Sequence, residues 1–267
     1  MHGDRVRVRR ERPSALTWAL ALMLTMLCVY LLTLGFSGEP ETSIDSDGSA
    51  PRVTEEVAFE RTQAWFVALG RYETAEEARI EAARYTPRGA AGYVLETADG
   101  YLVLGAAYET EAEATRVAES LAQTENLACE VHAESAERVR LRVTAEEAHI
   151  DLVCEAEATL RALAAETADI AFQIDRAKID PEAARTLLSV SASRLEDLLG
   201  RLRAVPGAAE NAITADLIAM VEQFRASLFV LSGENSKSTL SLSAKIKYNS
   251  IDVTLEHMRY LRKLNGL

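Results

Sequence analysis

The sequence predicts an α+β protein in three parts: an N-terminal transmembrane helix, a ferredoxin-like βαββαβ domain and a C-terminal all-α helical bundle. Three observations carry that expectation. Residues 14–36 contain no charged side chain. Residues 66–78, FVALGRYETAEEA, are nearly rewritten 36 residues later as LVLGAAYETEAEA, and a repeat of this length marks one supersecondary unit used twice. From Thr144 onward every apolar stripe has helical spacing.

Length and charge set the outer limits. The chain of 267 residues accommodates one or two domains. Residues 15–36 form an apolar run of 22, about 33 Å as a helix, which matches the hydrocarbon core of a bilayer. Signal-peptide cores are shorter, about 7 to 15 residues, and Gly35-Phe36-Ser37 is a poor cleavage site, so an uncleaved anchor is expected. Ahead of it Arg5, Arg7, Arg9, Arg10 and Arg12 stand against Asp4 and Glu11. The positive-inside rule then places residues 1–13 in the cytoplasm and everything after Phe36 outside, as in a single-pass cell-membrane protein. Those first 13 residues carry +3 of a total of −12, which leaves −15 for the remainder. A region this acidic is a poor partner for nucleic acid or any polyanion.

Residues 37–60, rich in Ser, Gly, Pro and acids, read as a flexible acidic linker. Residues 61–143 hold the repeat. QAWFVALG at 63–70 is a short apolar run ending in glycine, a strand signal. Thr74 and Glu77 make a capping-box pattern for a helix with Ala78, Ala82 and Tyr85 on one face, stopped by Pro87-Arg88-Gly89. Residues 91–97 are strand-like, and Asp99-Gly100 turns into a strand over 101–105. In the second copy Thr110 caps a helix with Ala114, Val117, Ala118 and Leu121 in its stripe, followed by a strand over 127–133. Two βα units sharing one sheet form the ferredoxin-like or split βαβ arrangement. A fifth strand is expected at 137–143, where Val139, Leu141 and Val143 alternate with Arg138, Arg140 and Arg142.

Residues 144–267 read as a four-helix antiparallel bundle. Thr144 and Glu147 cap a first helix with Leu152, Leu160, Leu163, Ile170 and Ile174 inward. Asp180-Pro181 starts a second, lined by Leu188, Leu195, Leu198 and Leu202. Ile213, Leu217, Met220, Phe224 and Leu231 mark the third, and Leu240, Ala244, Tyr248, Ile251, Leu255 and Met258 the fourth. Three-four spacing makes burial against one another the expected fate of these stripes.

Residues 61–143 resemble a SPOR domain, the small bacterial module that binds septal peptidoglycan. Phe66-Val67-Ala68-Leu69-Gly70-Arg71-Tyr72 sits on the family's first-strand pattern, and Tyr101-Leu102-Val103-Leu104-Gly105 through Tyr108 on the later one. The whole architecture is similar to SPOR-containing proteins of Gram-positive, clostridia-like bacteria, in which a helical region ends in a segment similar to SLSAKIKYNSIDVTLEHMRYL. The resemblance implies binding of peptidoglycan glycan strands, stripped of stem peptides, on the open sheet face at division or sporulation septa. With Val67 and Val103 turned toward the helices, Phe66, Ala68, Leu102 and Leu104 share that open face. The family's glutamine stands as Ala68 and its common third-strand arginine as Leu102. An apolar patch on a charged domain marks a protein contact. Two expectations follow: a wall-binding envelope protein, or a structural scaffold with a degenerate SPOR domain whose sheet face and bundle mediate protein contacts. In the second, helices from 145–267 or a protein partner cover the face.

No catalytic constellation stands out, and the chain is not expected to be an enzyme or to hold a cofactor. Cys129-x-x-His132 and His149-x4-Cys154 have the look of metal pairs. Residues three apart on a strand face opposite sides, however, and five apart on a helix diverge by about 140°. Cys129 and Cys154 are open to a disulfide or to two free thiols. Acidic pairs such as Glu76-Glu77 and Glu146-Glu147 fall at helix starts, where the dipole favours them. Arg138, Arg140 and Arg142 offer a cationic strip for the carboxylates of a wall sugar or an acidic partner, or else charges that guard an edge strand.

Overall fold

The structure, a computed structural model, describes residues 51–234 and 238–266. The elements in order are β1 (Arg52–Phe59), β2 (Thr62–Tyr72), α1 (Ala75–Tyr85), β3 (Tyr93–Thr97), β4 (Gly100–Tyr108), α2 (Glu111–Glu125), β5 (Glu130–Ala136) and β6 (Val139–Glu146). Four helices follow: α3 (Glu147–Asp175), α4 (Pro181–Ala204), α5 (Ala212–Ser232) and α6 (Thr239–Asn265). One sheet runs β3-β4-β2-β5 and a second pairs β1 with β6; every neighbouring pair is antiparallel.

The repeated motif does local structural work. Thr74 accepts from the Glu77 backbone N–H, and the Glu77 carboxylate accepts from the Thr74 N–H, closing a capping box. Thr110 accepts from the Glu113 N–H in the same way. Ala68 opposes Leu104, Val67 opposes Ala106 and Gly70 opposes Val103, so Leu69 and Gly105 are the extra residues of facing bulges. These two are equivalent positions of the repeat. A Cβ on Gly105 would sit 3.3 Å from the Leu69 side chain. The first copy fills the space that the second leaves empty.

The four-stranded sheet is covered on both faces. Val67 and Leu69 pack with Ala114 and Ala118 of α2, and Val103 with Ala78 and Ala82 of α1. On the other face Phe66, Ala68, Leu102 and Leu104 join one core cluster with Leu160 and Leu163 of α3 and Leu255 and Met258 of α6. The four C-terminal helices close a ring in which neighbours run antiparallel, as cross-links show. Arg201 bonds Glu155 between α4 and α3 at 2.8 Å, and Arg203 bonds Glu222 between α4 and α5 at 2.8 Å. Lys263 bonds Asp216 between α6 and α5 at 2.6 Å, and Ser250 donates to the Ala164 carbonyl of α3 at 2.9 Å.

The expected fold class needs correction. Among the described residues no helix is long and apolar enough to cross a membrane, and the span expected at 14–36 lies outside the described residues, as do 1–13. The βαββαβ part and the bundle are not separate layers on a string, because residues 50–267 form one compact unit. A second sheet joins them. Part of the supposed linker, Arg52–Phe59, is strand β1. Its Val57 and Phe59 are buried beside Val139, and the Phe59 ring lies 6.4 Å from that of Tyr260. Thr144 is not a helix cap: it sits in β6, its hydroxyl 2.8 Å from that of Thr54, and Glu146 takes the N-cap position of α3.

Candidate functional site

The face that the resemblance assigns to glycan is closed. Phe66, Ala68, Leu102 and Leu104 are each 0% exposed. Polar contacts lock the cover in place around this apolar contact. The Tyr93 hydroxyl donates to Asp252 at 3.3 Å, Lys247 to the Gly89 carbonyl at 2.7 Å and Arg262 to the Ser135 carbonyl at 2.8 Å. Arg262 also pairs with Glu134. Burial by itself raises the Glu134 pKa, but Arg262 and His132 (3.1 Å away) outweigh it and hold this carboxyl below its ordinary value.

Arg140 and Arg142 of β6 point to solvent on the outer face of the β1–β6 ladder, and Arg138, just before the strand, is exposed beside them. Arg138 pairs with Glu60 at 3.0 Å. Arg140 stands opposite Ala58 and Arg142 opposite Glu56, and neither makes an ion pair among the described residues. They form a short exposed cationic strip. Glu130 pairs with Arg71 at 2.8 Å on the other sheet.

The sequence missed a polar seam between α3 and α6. His257 is buried, and its Nε2 lies 3.0 Å from Glu157 Oε1, with side-chain exposures of 2% and 5%. Ser243 bonds Asp175 at 2.5 Å, and Lys247 bonds the same carboxylate at 2.6 Å. These groups satisfy one another, so the seam fixes helix register. Among the described residues no cluster of three His, Cys, Asp or Glu side chains is placed to hold a metal. Cys129 and Cys154 are free thiols, both pushed up in pKa by burial; neighbouring carboxylates add to the shift at Cys154.

A groove of ≈ 900 Å³ runs along the outer edge of β3. Val94 and Glu96 form its floor, with Ala75, Arg79 and Ala83 of α1 on one side. Val230 of α5 with Tyr248 and Asn249 of α6 line the other. Val230 is 67% and Tyr248 46% exposed, though both belong to helices of the bundle. Tyr248 rests on the Tyr93 ring at 4.9 Å, and burial together with Asp252 pushes the Tyr93 phenol up to about 12. Asn249 is 5% exposed, and its Oδ1 accepts no hydrogen bond among the described residues. In the sequence the one available signal was Val230, an apolar residue off the stripe of its helix. A smaller cavity of ≈ 320 Å³ between α1 and α2 includes Arg88 and Lys247, whose charges are already spent on Glu125 and Asp175. No protein-family model, curated protein or solved structure matches the chain.

Proposed function

We propose that this protein is a non-catalytic interaction scaffold, in which a SPOR-like βαββαβ unit is capped by its own helical bundle and engages protein partners through its remaining surface. The observation that carries this reading is the complete burial of Phe66, Ala68, Leu102 and Leu104 under α3 and α6. Sugar recognition in water needs exposed hydrogen-bonding groups beside an apolar platform, and this face presents neither. The direct test is co-sedimentation of the purified full chain with peptidoglycan sacculi before and after amidase treatment. The expected result is equal, background-level recovery on both. Enrichment on amidase-treated wall would overturn the scaffold reading.

A second reading, wall binding in the cell envelope, draws on the exposed Arg140 and Arg142, which suit carboxylates of a wall sugar. It requires that Arg140→Glu with Arg142→Glu abolish any recovery on sacculi.

A further inference from the structure

We propose that the groove beside β3 binds an extended peptide segment of a partner protein, which pairs with the free edge of β3 as a fifth strand of the sheet. This rests on the reading of the chain as an interaction scaffold and names the kind of partner its surface fits.

The backbone comes first. Among the described residues β3 is an edge strand, with β4 on one side only. Thr97 stands opposite Gly100 at the tight turn, followed by the pairs Glu96 with Tyr101, Leu95 with Leu102, Val94 with Val103 and Tyr93 with Leu104. Hydrogen-bonded and non-bonded pairs alternate along an antiparallel ladder. With Thr97 closing the turn, Leu95 and Tyr93 bond to β4, and the N–H and C=O of Val94 and Glu96 turn outward. Val94 and Glu96 are the β3 residues that line the groove. An unpaired strand edge is a template for another strand.

A second, independent observation points the same way. Asn249 lines the groove, and its buried side-chain carbonyl oxygen lacks a donor among the described residues. A buried acceptor left unmade is costly, and a peptide N–H supplies what it lacks. The walls then specify side chains. Residues of an added strand alternate between the two faces. On the α1 side they meet small alanines, the Glu96 side chain of β3 itself and Arg79, which has no ion-pair partner among the described residues. On the α5–α6 side they meet exposed Val230 and Tyr248. The matching segment alternates acidic and apolar residues, the acids toward Arg79. A second copy fits less well, because its own β3 is flanked by the same helices and edge-to-edge approach sets wall against wall.

The test uses the full chain and a fluorescently labelled eight-residue peptide of alternating valine and glutamate. Two analogues are N-methylated, one at every valine and the other at every glutamate. The expected result is saturable binding of the parent, weakened at least tenfold in one methylated analogue. Backbone exchange at the Val94 and Glu96 amides should slow at least tenfold in the complex. Val94→Pro removes an outward donor without touching the β3–β4 ladder and should abolish binding. If that variant fails to fold, Arg79→Glu and Val230→Asp, both at the surface, carry the test and should each weaken binding. Equal binding of all three peptides, no saturation by about 1 mM, or unchanged exchange at Val94 and Glu96 overturns the proposal. So does a dimer in sedimentation that Val94→Pro dissolves, since it gives the edge to a second copy. Each of these failures leaves the sacculus result, and the scaffold reading with it, untouched.

Discussion

Replacing Leu102 with arginine puts into β4 the residue that the resemblance to SPOR domains calls for, and the structure sets its cost. Leu102 is 0% exposed, lies between β2 and β3, and belongs to the cluster under α3 and α6. Unmaking a buried leucine's packing costs about 2 to 5 kcal/mol. An uncompensated guanidinium adds several kcal/mol more, of which the long stem recovers part by carrying the charge toward water. A net loss of about 4 kcal/mol is large against a typical total of ~5 to 15 kcal/mol. At an m-value near ~2 kcal/mol/M it lowers the urea midpoint by about 2 M. Leu102→Met keeps the volume and should cost under ~1.5 kcal/mol. Urea unfolding of the full chain, followed by circular dichroism, reads both. An arginine variant within ~0.5 kcal/mol of the parent would show that the face is not sealed and would return it to solvent and to glycan. Equal losses for both variants would locate the cost in shape and not in charge.

Three further outcomes are expected. His257→Leu and Glu157→Leu each strand a buried partner and should destabilise by about 3 kcal/mol, while the double variant loses much less than the sum; strict additivity in a denaturation cycle would deny the coupling. Gly100 has φ +115° and a Cβ there would lie 2.5 Å from the Tyr72 carbonyl oxygen, so Gly100→Ala should cost about 2 kcal/mol or more by calorimetry. The depressed pKa of Glu134 contributes stability that is present above its ordinary value of 4.5 and lost as pH falls through the lower folded value. Glu134→Gln should therefore flatten the acid limb of the stability profile, and parallel acid limbs for parent and variant would remove Glu134 from it.

Features that depend on a few neighbouring residues could be read directly from the sequence. The Thr74, Thr110 and Asp180 caps, the turn at Gly100 and the leucine stripes of α3 and α4 all rest on contacts within a turn or two of the chain. Alternation also identified Phe66, Ala68, Leu102 and Leu104 as one face and, from their apolarity, the need for a cover. β1 was not legible. RVTEEVAF follows a proline and carries Glu55 and Glu56 at its centre, and only the ladder with β6, far along the chain, makes it a strand.

The sequence alone determined where helices and strands nucleate and which strand residues avoid water, because propensity, capping and the two-residue strand period act locally. Only the tertiary structure decided what covers those residues and what stays open. α6 lies against both the sheet and α3, so it buries Ser250, Thr254 and His257, which its own periodicity assigns to solvent. Those polar groups are tolerated because Ala164 and Glu157 on α3 and the Ser250 carbonyl one turn earlier on α6 bond them. The groove beside β3 is assembled from α1, β3, α5 and α6. No local pattern describes it, since a site made by packing distant segments exists only once the apolar faces have found one another.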